Sequence, residues 1–256
     1  MCGRYAATKD PATLTAEFAA LDQTGGLVSP ADYNVAPTKN VATVVQRHPR
    51  DADGKVLGDE PAVRTLRAMR WGLVPFWAKD PASGAKMINA RAETVAEKPA
   101  YRKALAKRRC LVPADGWFEW RRDGKHNDPF YVTGPDAASL VFAGLWESRR
   151  DPKDSDGPPL ITFSVLTTDA VGRLADIHHR MPLLLTPEQW EPWLDPDSED
   201  VSALLVPPSL DVVDVLEMRP VSTRVNSVRN NGPELLDRVE PEQRLDEAAL
   251  FELPSS

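Results

Sequence analysis

The sequence lacks the patterns that mark several large functional classes. Its 256 residues include only two cysteines, Cys2 and Cys110, and there is no C-x-x-C and no H-E-x-x-H. A disulfide framework and the common zinc motifs therefore have no basis, and neither a metal nor a cofactor is expected. No apolar run approaches the roughly 20 residues of a membrane-spanning helix. Thr8, Lys9 and Asp10 fall where a secretory signal would need an apolar core. A cytoplasmic location without a membrane partner is the expectation.

What is present is ordinary in bulk and uneven in distribution. Hydrophobic residues make up 42% and charged residues 27%, as in a globular protein of one domain or two packed lobes. The net charge is −7, yet from Arg64 to Lys125 there are 15 lysines and arginines against 6 acids. The acidic excess lies in Asp51 to Glu60, Asp195 to Asp200 and the tail from Glu240 to Glu252. Such separation implies one basic face suited to a phosphate-rich partner.

Asp10-Pro11 with Leu14, Phe18 and Leu21 reads as a capped amphipathic helix. Strands are expected at Val41 to Gln46 and Val63 to Trp71, joined by a hairpin tip at Asp53-Gly54. Trp71 to Lys79 places three aromatics around a glycine and a proline, which excludes a regular element; Trp71 reads as core and Trp77 as exposed. In Ile88 to Thr94, alternation sends Asn89, Arg91 and Glu93 to one face. A helix from Pro99 to Arg109 precedes the strand Cys110 to Pro113, where Cys110 reads as a small buried residue. Phe130 to Thr133 and Leu140 to Trp146 read as strands of a meander, and Leu160 to Thr167 as another strand. Thr168 caps a helix through Val171, Leu174 and Ala175. Thr186 opens a further helix through a capping box with Gln189, and Leu210 to Val221 returns as a strand. Many short strands with about five short helices point to an α+β fold.

Three positions carry chemistry. If Met1 is removed, Cys2 presents a thiol and an α-amine on adjacent carbons, a pair that condenses with aldehydes and attacks acyl carbons. Glu119 shares a strand face with Trp117, where desolvation raises a carboxylate pKa and suits it to general acid or base work; a structural ion pair is the alternative. His178 stands at a helix-to-strand corner before Pro182, which halts the helix.

Met1 to Tyr5, Tyr33 to Pro37, Trp71 to Pro75, Ile88 to Thr94, Gly116 to Trp120 and Asp176 to Pro182 together resemble the SOS response-associated peptidase (SRAP) family. The resemblance continues through Arg219 to Ser222 and Val228 to Gly232. It implies a single domain over residues 2–236 with a polar tail over 237–256, built on a curved, partly barrel-like, mainly antiparallel sheet flanked by short helices. It also implies a sensor of abasic sites in single-stranded DNA, with replication-fork DNA as a further partner and a monomeric protein that joins the nucleoid when bound. The implied chemistry is a thiazolidine crosslink through Cys2 after autocatalytic removal of Met1, with Asn89, Glu119 and His178 completing the catalytic set. Arg4, Arg91 and Arg180 are the implied phosphate ligands, and Trp77 the implied stacking residue. Two departures stand out: Ala78 replaces a second tryptophan found in some members, and His179 stands where Asp or Glu is frequent.

Rival classes are separable by motif and assay. A glutamine amidotransferase also begins Met-Cys-Gly, but neither its Asn-Gly-Glu nor its His-Arg-Gly run occurs here. A thiol peptidase using Cys2 and His178 would release fragments from added peptides. A purely shielding single-strand binder would keep its whole activity without Cys2.

Overall fold

The computed structural model describes residues 3–28, 30–124, 126–136, 138–150 and 157–239. Cys2 and most of the expected tail, from residue 240 onward, lie outside the described residues. In chain order the elements are β1 (Arg4–Ala7), α1 (Pro11–Phe18), β2 (Leu21–Asp22), β3 (Asp32–Val35), β4 (Asn40–Arg47), β5 (Val63–Trp71) and β6 (Asn89–Arg91). They continue as α2 (Arg102–Lys107), β7 (Arg109–Ala114), β8 (Gly116–Asp123), β9 (His126–Thr133), β10 (Leu140–Arg149) and β11 (Leu160–Asp169). The last are β12 (Arg180–Pro182), α3 (Pro187–Leu194), α4 (Leu210–Asp214) and β13 (Glu217–Pro220).

These strands form two sheets, one ordered β13-β9-β8-β1-β3 and one ordered β12-β11-β10-β7-β4-β5-β2. Most pairings are antiparallel. The larger sheet curls until β5 meets β11 in parallel, Arg70 opposite Thr162 and Trp71 opposite Phe163, which closes β5-β4-β7-β10-β11 into a ring. The fold is thus α+β with a barrel-like sheet.

Alternation gives the larger sheet two buried faces. One carries Val45, Met69, Phe142 and Phe163 and packs on Tyr5 and Trp117 of the smaller sheet. Tyr5 meets Trp71 edge-on at 5.1 Å and Phe142 at 5.9 Å, and Trp117 meets Phe142 at 6.0 Å. The other face, with Val44, Leu66, Ala143 and Leu166, is covered by Leu14 and Phe18 of α1, Leu105 of α2 and Trp193 of α3.

Local chemistry explains where elements stop. Asp10 caps α1 by accepting from the Thr13 N–H at 2.9 Å. The helix ends at Ala19, which adopts a left-handed φ of 48°, so Leu21 belongs to β2 and is exposed rather than completing the apolar stripe. The expected helix after Thr168 is a 3₁₀ turn over Gly172–Asp176, because β11 runs on to Asp169 and Gly172 is left-handed with φ 56°. The first part of the strand expected over Leu210 to Val221 is α4, which buries Val213; Leu216, just past its end, is also buried, and only Glu217–Pro220 is strand. Nor do β9 and β10 pair as a meander; the connection through Gly134-Pro135 carries the chain from one sheet to the other. Gly72 has φ 115°, and a Cβ there would stand 2.6 Å from the Gly84 carbonyl oxygen, so glycine lets the strand end approach the Pro81–Lys86 turn.

Arg109 belongs to the basic stretch of the sequence but not to the surface. Buried at the start of β7, it donates to the carbonyls of Trp193 (2.5 Å), Leu105 (2.6 Å), Ala106 (2.8 Å) and Ser198 (2.8 Å), and to that of Asp195. It ties α2, α3 and the following loop together. Arg109→Met should lower unfolding stability in urea by about 3 kcal/mol or more, since several buried acceptors lose their donor; a change below about 1 kcal/mol would contradict this role.

Candidate active site

The smaller sheet brings the start of the chain to Glu119. Arg4 lies opposite Phe118 and Tyr5 opposite Trp117. One further step of this antiparallel register sets Gly3 beside Glu119, and Cys2 is covalently the next residue. Glu119 itself is 5% exposed. Burial pushes its carboxyl above the usual carboxylate range, and the Trp120 N–H, 3.4 Å from Oε1, counteracts this weakly.

The larger sheet carries the Asn89 and Arg91 segment. β6 extends the β5 edge of β11, with Asn89 opposite Val165 and Arg91 opposite Thr167. Only three residues form this strand, yet the alternation read from the sequence holds: Ala90 and Ala92 are buried, Arg91 and Glu93 exposed, and Asn89 half-buried. The Trp71 indole N–H donates to the Ile88 carbonyl at 2.9 Å, tying Asn89 to the aromatic cluster that also holds Tyr5 and Trp117.

His178 follows the 3₁₀ turn whose Leu174 is buried in the same cluster. Its Nδ1 lies 2.9 Å from the Arg180 N–H, a donor that cannot reverse, so Nδ1 accepts and the neutral ring carries its proton on Nε2. Desolvation, helped by His179 and Arg122, lowers its pKa to about 4. The exposed His179 ring stacks on the imidazole at 4.2 Å. His178 should therefore be neutral throughout the physiological range, and its ring NMR titration should have a midpoint near pH 4. Because an unfolded histidine protonates near pH 6.5, its contribution to stability should be lost as pH falls from about 6.5 towards 4. A midpoint at or above 6.5 would contradict both statements.

The four residues expected to meet DNA divide into two pairs. Arg91 is exposed, and Trp77 is 58% exposed next to an exposed Phe76 whose ring faces Lys103 Nζ at 5.4 Å. Trp77, Asn89, Arg91, Lys98 and Tyr101 line a cleft of about 430 Å³. Arg4 and Arg180, by contrast, direct their guanidinium groups into the protein. Arg4 Nη1 donates to Asn34 Oδ1 and the Val225 carbonyl, both at 2.9 Å. Arg180, 6% exposed, forms a two-pronged pair with Glu93 (2.8 and 3.0 Å) and also donates to Asp169 (2.6 Å) and the Thr167 carbonyl (2.6 Å).

Two supporting residues had no role assigned from sequence. Glu93, held below the usual carboxylate range mainly by Arg180, fixes the end of the β6 segment against β12. Asn34, fully buried, donates to the carbonyls of Val225, Ser227 and Asn230, pinning the C-terminal segment beside β1. The signal for Glu93 was its place on the Asn89 and Arg91 face; Asn34 gave no local signal, since its partners lie about 190 residues away.

Fold and site define an α+β protein of two packed sheets that carries a buried glutamate on the strand paired with β1, a neutral histidine after a 3₁₀ turn, and a cationic, aromatic cleft. The chain belongs to the SOS response associated peptidase (SRAP) family, whose model matches residues 1–228. It is 39% identical to the Abasic site processing protein YoqW of Bacillus subtilis, over 93% of this chain and 99% of that one. It is 33% identical to the Abasic site processing protein HMCES of Gallus gallus, over 94% of this chain and 78% of that one. A crystal structure of a Bacteroides thetaiotaomicron protein superposes with a TM-score of 0.75 at 26% identity, covering 93% of this chain and all of that one.

Proposed function

We propose that the chain processes abasic sites in single-stranded DNA by forming a thiazolidine crosslink through Cys2. The observation that carries this reading is the pairing of β1 with β8, which directs the first residues of the chain to Glu119. The names of the relatives, abasic site processing proteins, support the choice of substrate.

The reaction needs no redox partner. Hydrolysis of the Met1–Cys2 peptide bond frees the α-amine, of which about a tenth to a quarter is unprotonated at neutral pH, given a pKa near 8. That amine adds to the aldehyde carbon of the ring-opened sugar, and the carbinolamine loses water to give an imine. The Cys2 thiol then adds to the imine carbon while its proton passes to nitrogen, closing a five-membered ring at high effective concentration. Glu119, its carboxyl biased towards the protonated form by burial, donates the proton that lets water leave and takes one back from the thiol. His178 acts as a neutral imidazole with Nε2–H towards the sugar hydroxyl, and Asn89 holds the intermediate by hydrogen bonds. In this reading Arg91 meets backbone phosphates and Trp77 stacks a base, while Arg4 and Arg180 shape the walls.

A single domain over residues 2–236, a monomer and a cytoplasmic location on DNA belong to the same proposal. Among the described residues no helix is long and apolar enough to cross a membrane.

The DNA-binding part is tested by anisotropy on labelled single strands. Trp77→Ala should weaken binding by about 1–3 kcal/mol, the usual worth of one base stack. Arg91→Ala should lower the slope of log affinity against log salt by about 0.7. Unchanged affinity in the first and an unchanged slope in the second would remove this cleft from the DNA path.

A further inference from the structure

Arginines gather at the end of the barrel away from the smaller sheet. Arg47, the last residue of β4, lies over the Trp146 ring with 5.0 Å between guanidinium carbon and ring centroid. Thr43, Val45 and Arg47 alternate onto one face, and Thr43 stands opposite Arg67, so Arg67 of β5 shares that face. Arg108 joins from the foot of β7, its carbonyl accepting from the Trp146 N–H at 2.9 Å. Arg50 enters from the β4–β5 connection, where it bridges to Val56. The next residue after Arg47, His48, turns to the other face and is held by the Glu60 carbonyl at 2.6 Å and Asp197 at 3.0 Å.

Only one of these four arginines has a carboxylate partner among the described residues: Arg108 pairs with Glu147 at 2.9 Å. Arg67 donates to Gln23 Oε1 (2.6 Å) and Thr65 Oγ1 (3.3 Å), and Arg50 to the Gly54 carbonyl. Among the described residues, the Trp146 ring is the partner of Arg47. Arg47 and Arg67 are nevertheless half-buried. Burial pushes the Arg47 guanidinium below its usual range, and Arg50, Arg67 and Arg108 push in the same direction. Gathering like charges in partly desolvated positions is unfavourable unless an anion completes the group.

We propose that this arginine-framed mouth of the barrel is a second binding site, separate from the cleft lined by Trp77, Asn89 and Arg91, for a ligand bearing two or more phosphate groups. The number follows from the count of donors: four guanidinium groups, from β4, β5, the β4–β5 connection and the residue before β7, are more than one phosphate engages through forked contacts. The separation follows from the strands: along β5, Arg67 is four residues from Trp71 and Val63, opposite Arg47, is eight, or roughly 13 Å and 26 Å at about 3.3 Å per residue. Two sources share this chemistry, a DNA strand continuing around the barrel from the cleft and a small polyphosphate. The inference does not depend on the reaction assigned to Cys2.

The test compares wild type with the Arg47→Ala, Arg67→Gln double variant of the full chain. Anisotropy is measured on labelled single strands of about 6 and about 30 nucleotides, the shorter filling one site only. Inorganic tripolyphosphate is titrated by calorimetry. A DNA source predicts about tenfold weaker binding of the long strand, a salt slope lower by about 1.4 for two lost phosphate contacts, and no change for the short strand. A small-molecule source predicts tripolyphosphate binding by wild type that the double variant loses, with both strands unaffected. No change in any of the three overturns the site. An unchanged circular dichroism spectrum and thermal unfolding midpoint verify that the double variant folds. Should it not fold, Arg50→Ala at an exposed position carries the same comparison at smaller amplitude, and its failure to alter long-strand or tripolyphosphate binding overturns the site equally.

Discussion

Cys2→Ala protein incubated with single-stranded DNA carrying an abasic site should yield no heat-stable adduct. Once Met1 has been cleaved from the variant by an added methionine aminopeptidase, alanine presents an α-amine at the same position, so an imine with the aldehyde can still form. Without the thiol no ring closes, and the imine hydrolyses on heating. Borohydride should therefore trap an adduct with the variant that heat alone destroys, whereas wild-type adduct survives both treatments. The gain from ring closure is large because an adjacent thiol reacts at effective concentrations far above any free thiol, reaching about 10⁵ M or more in well-oriented systems. A heat-stable adduct formed by the variant would show that another nucleophile does the chemistry.

Glu119→Gln should slow crosslinking by about 10²- to 10⁴-fold, the usual contribution of a positioned general acid or base. Glutamine keeps the shape and can still accept from the Trp120 N–H, so the site should stay intact. It cannot deliver a proton to the departing water or accept one from the thiol. The buried setting of Glu119 makes the neutral amide easy to accommodate, and stability should be unchanged or higher, because a desolvated ionisable group has been removed. Folded Glu119→Gln protein that crosslinks within about twofold of the wild-type rate would exclude the residue from proton transfer.

The parts of the fold that were legible in the sequence are those where side chains report on their own neighbourhood. Asp10, Leu14 and Phe18 specify α1 directly, and the Asn89, Arg91 and Glu93 alternation survives in a strand of only three residues because Ala90 and Ala92 must face the core. The contrast between Trp71 and Trp77 was legible too, since one ends an apolar strand and the other follows a proline and a phenylalanine. What stayed hidden depends on partners far along the chain. The parallel contact of β5 with β11 closes the barrel between residues about 90 positions apart, and no local pattern announces it. The assignment of β9 and β10 to different sheets is of the same kind.

The candidate site divides along the same line. Glu119 could be placed beside an indole from strand alternation alone, and burial follows from its neighbours. Arg4 and Arg180 could not be separated from Arg91 by sequence, because an arginine in a motif looks the same whether it faces solvent or a carboxylate. Only the packing of Glu93 and Asp169 around Arg180, and of Asn34 and Val225 around Arg4, distinguishes wall-building arginines from an accessible one. Charge counting likewise included Arg109, whose donors all meet backbone carbonyls inside the protein.

Intact mass of the purified protein, recorded before and after exposure to single-stranded DNA with one abasic site, tests the central claim most directly. The expected result is a protein already lacking Met1 that gains the mass of the DNA minus one water in a single covalent adduct whose peptide map places the modification on Cys2. Retention of Met1 on the bulk of the protein, or a modification mapped to any other residue, would contradict it.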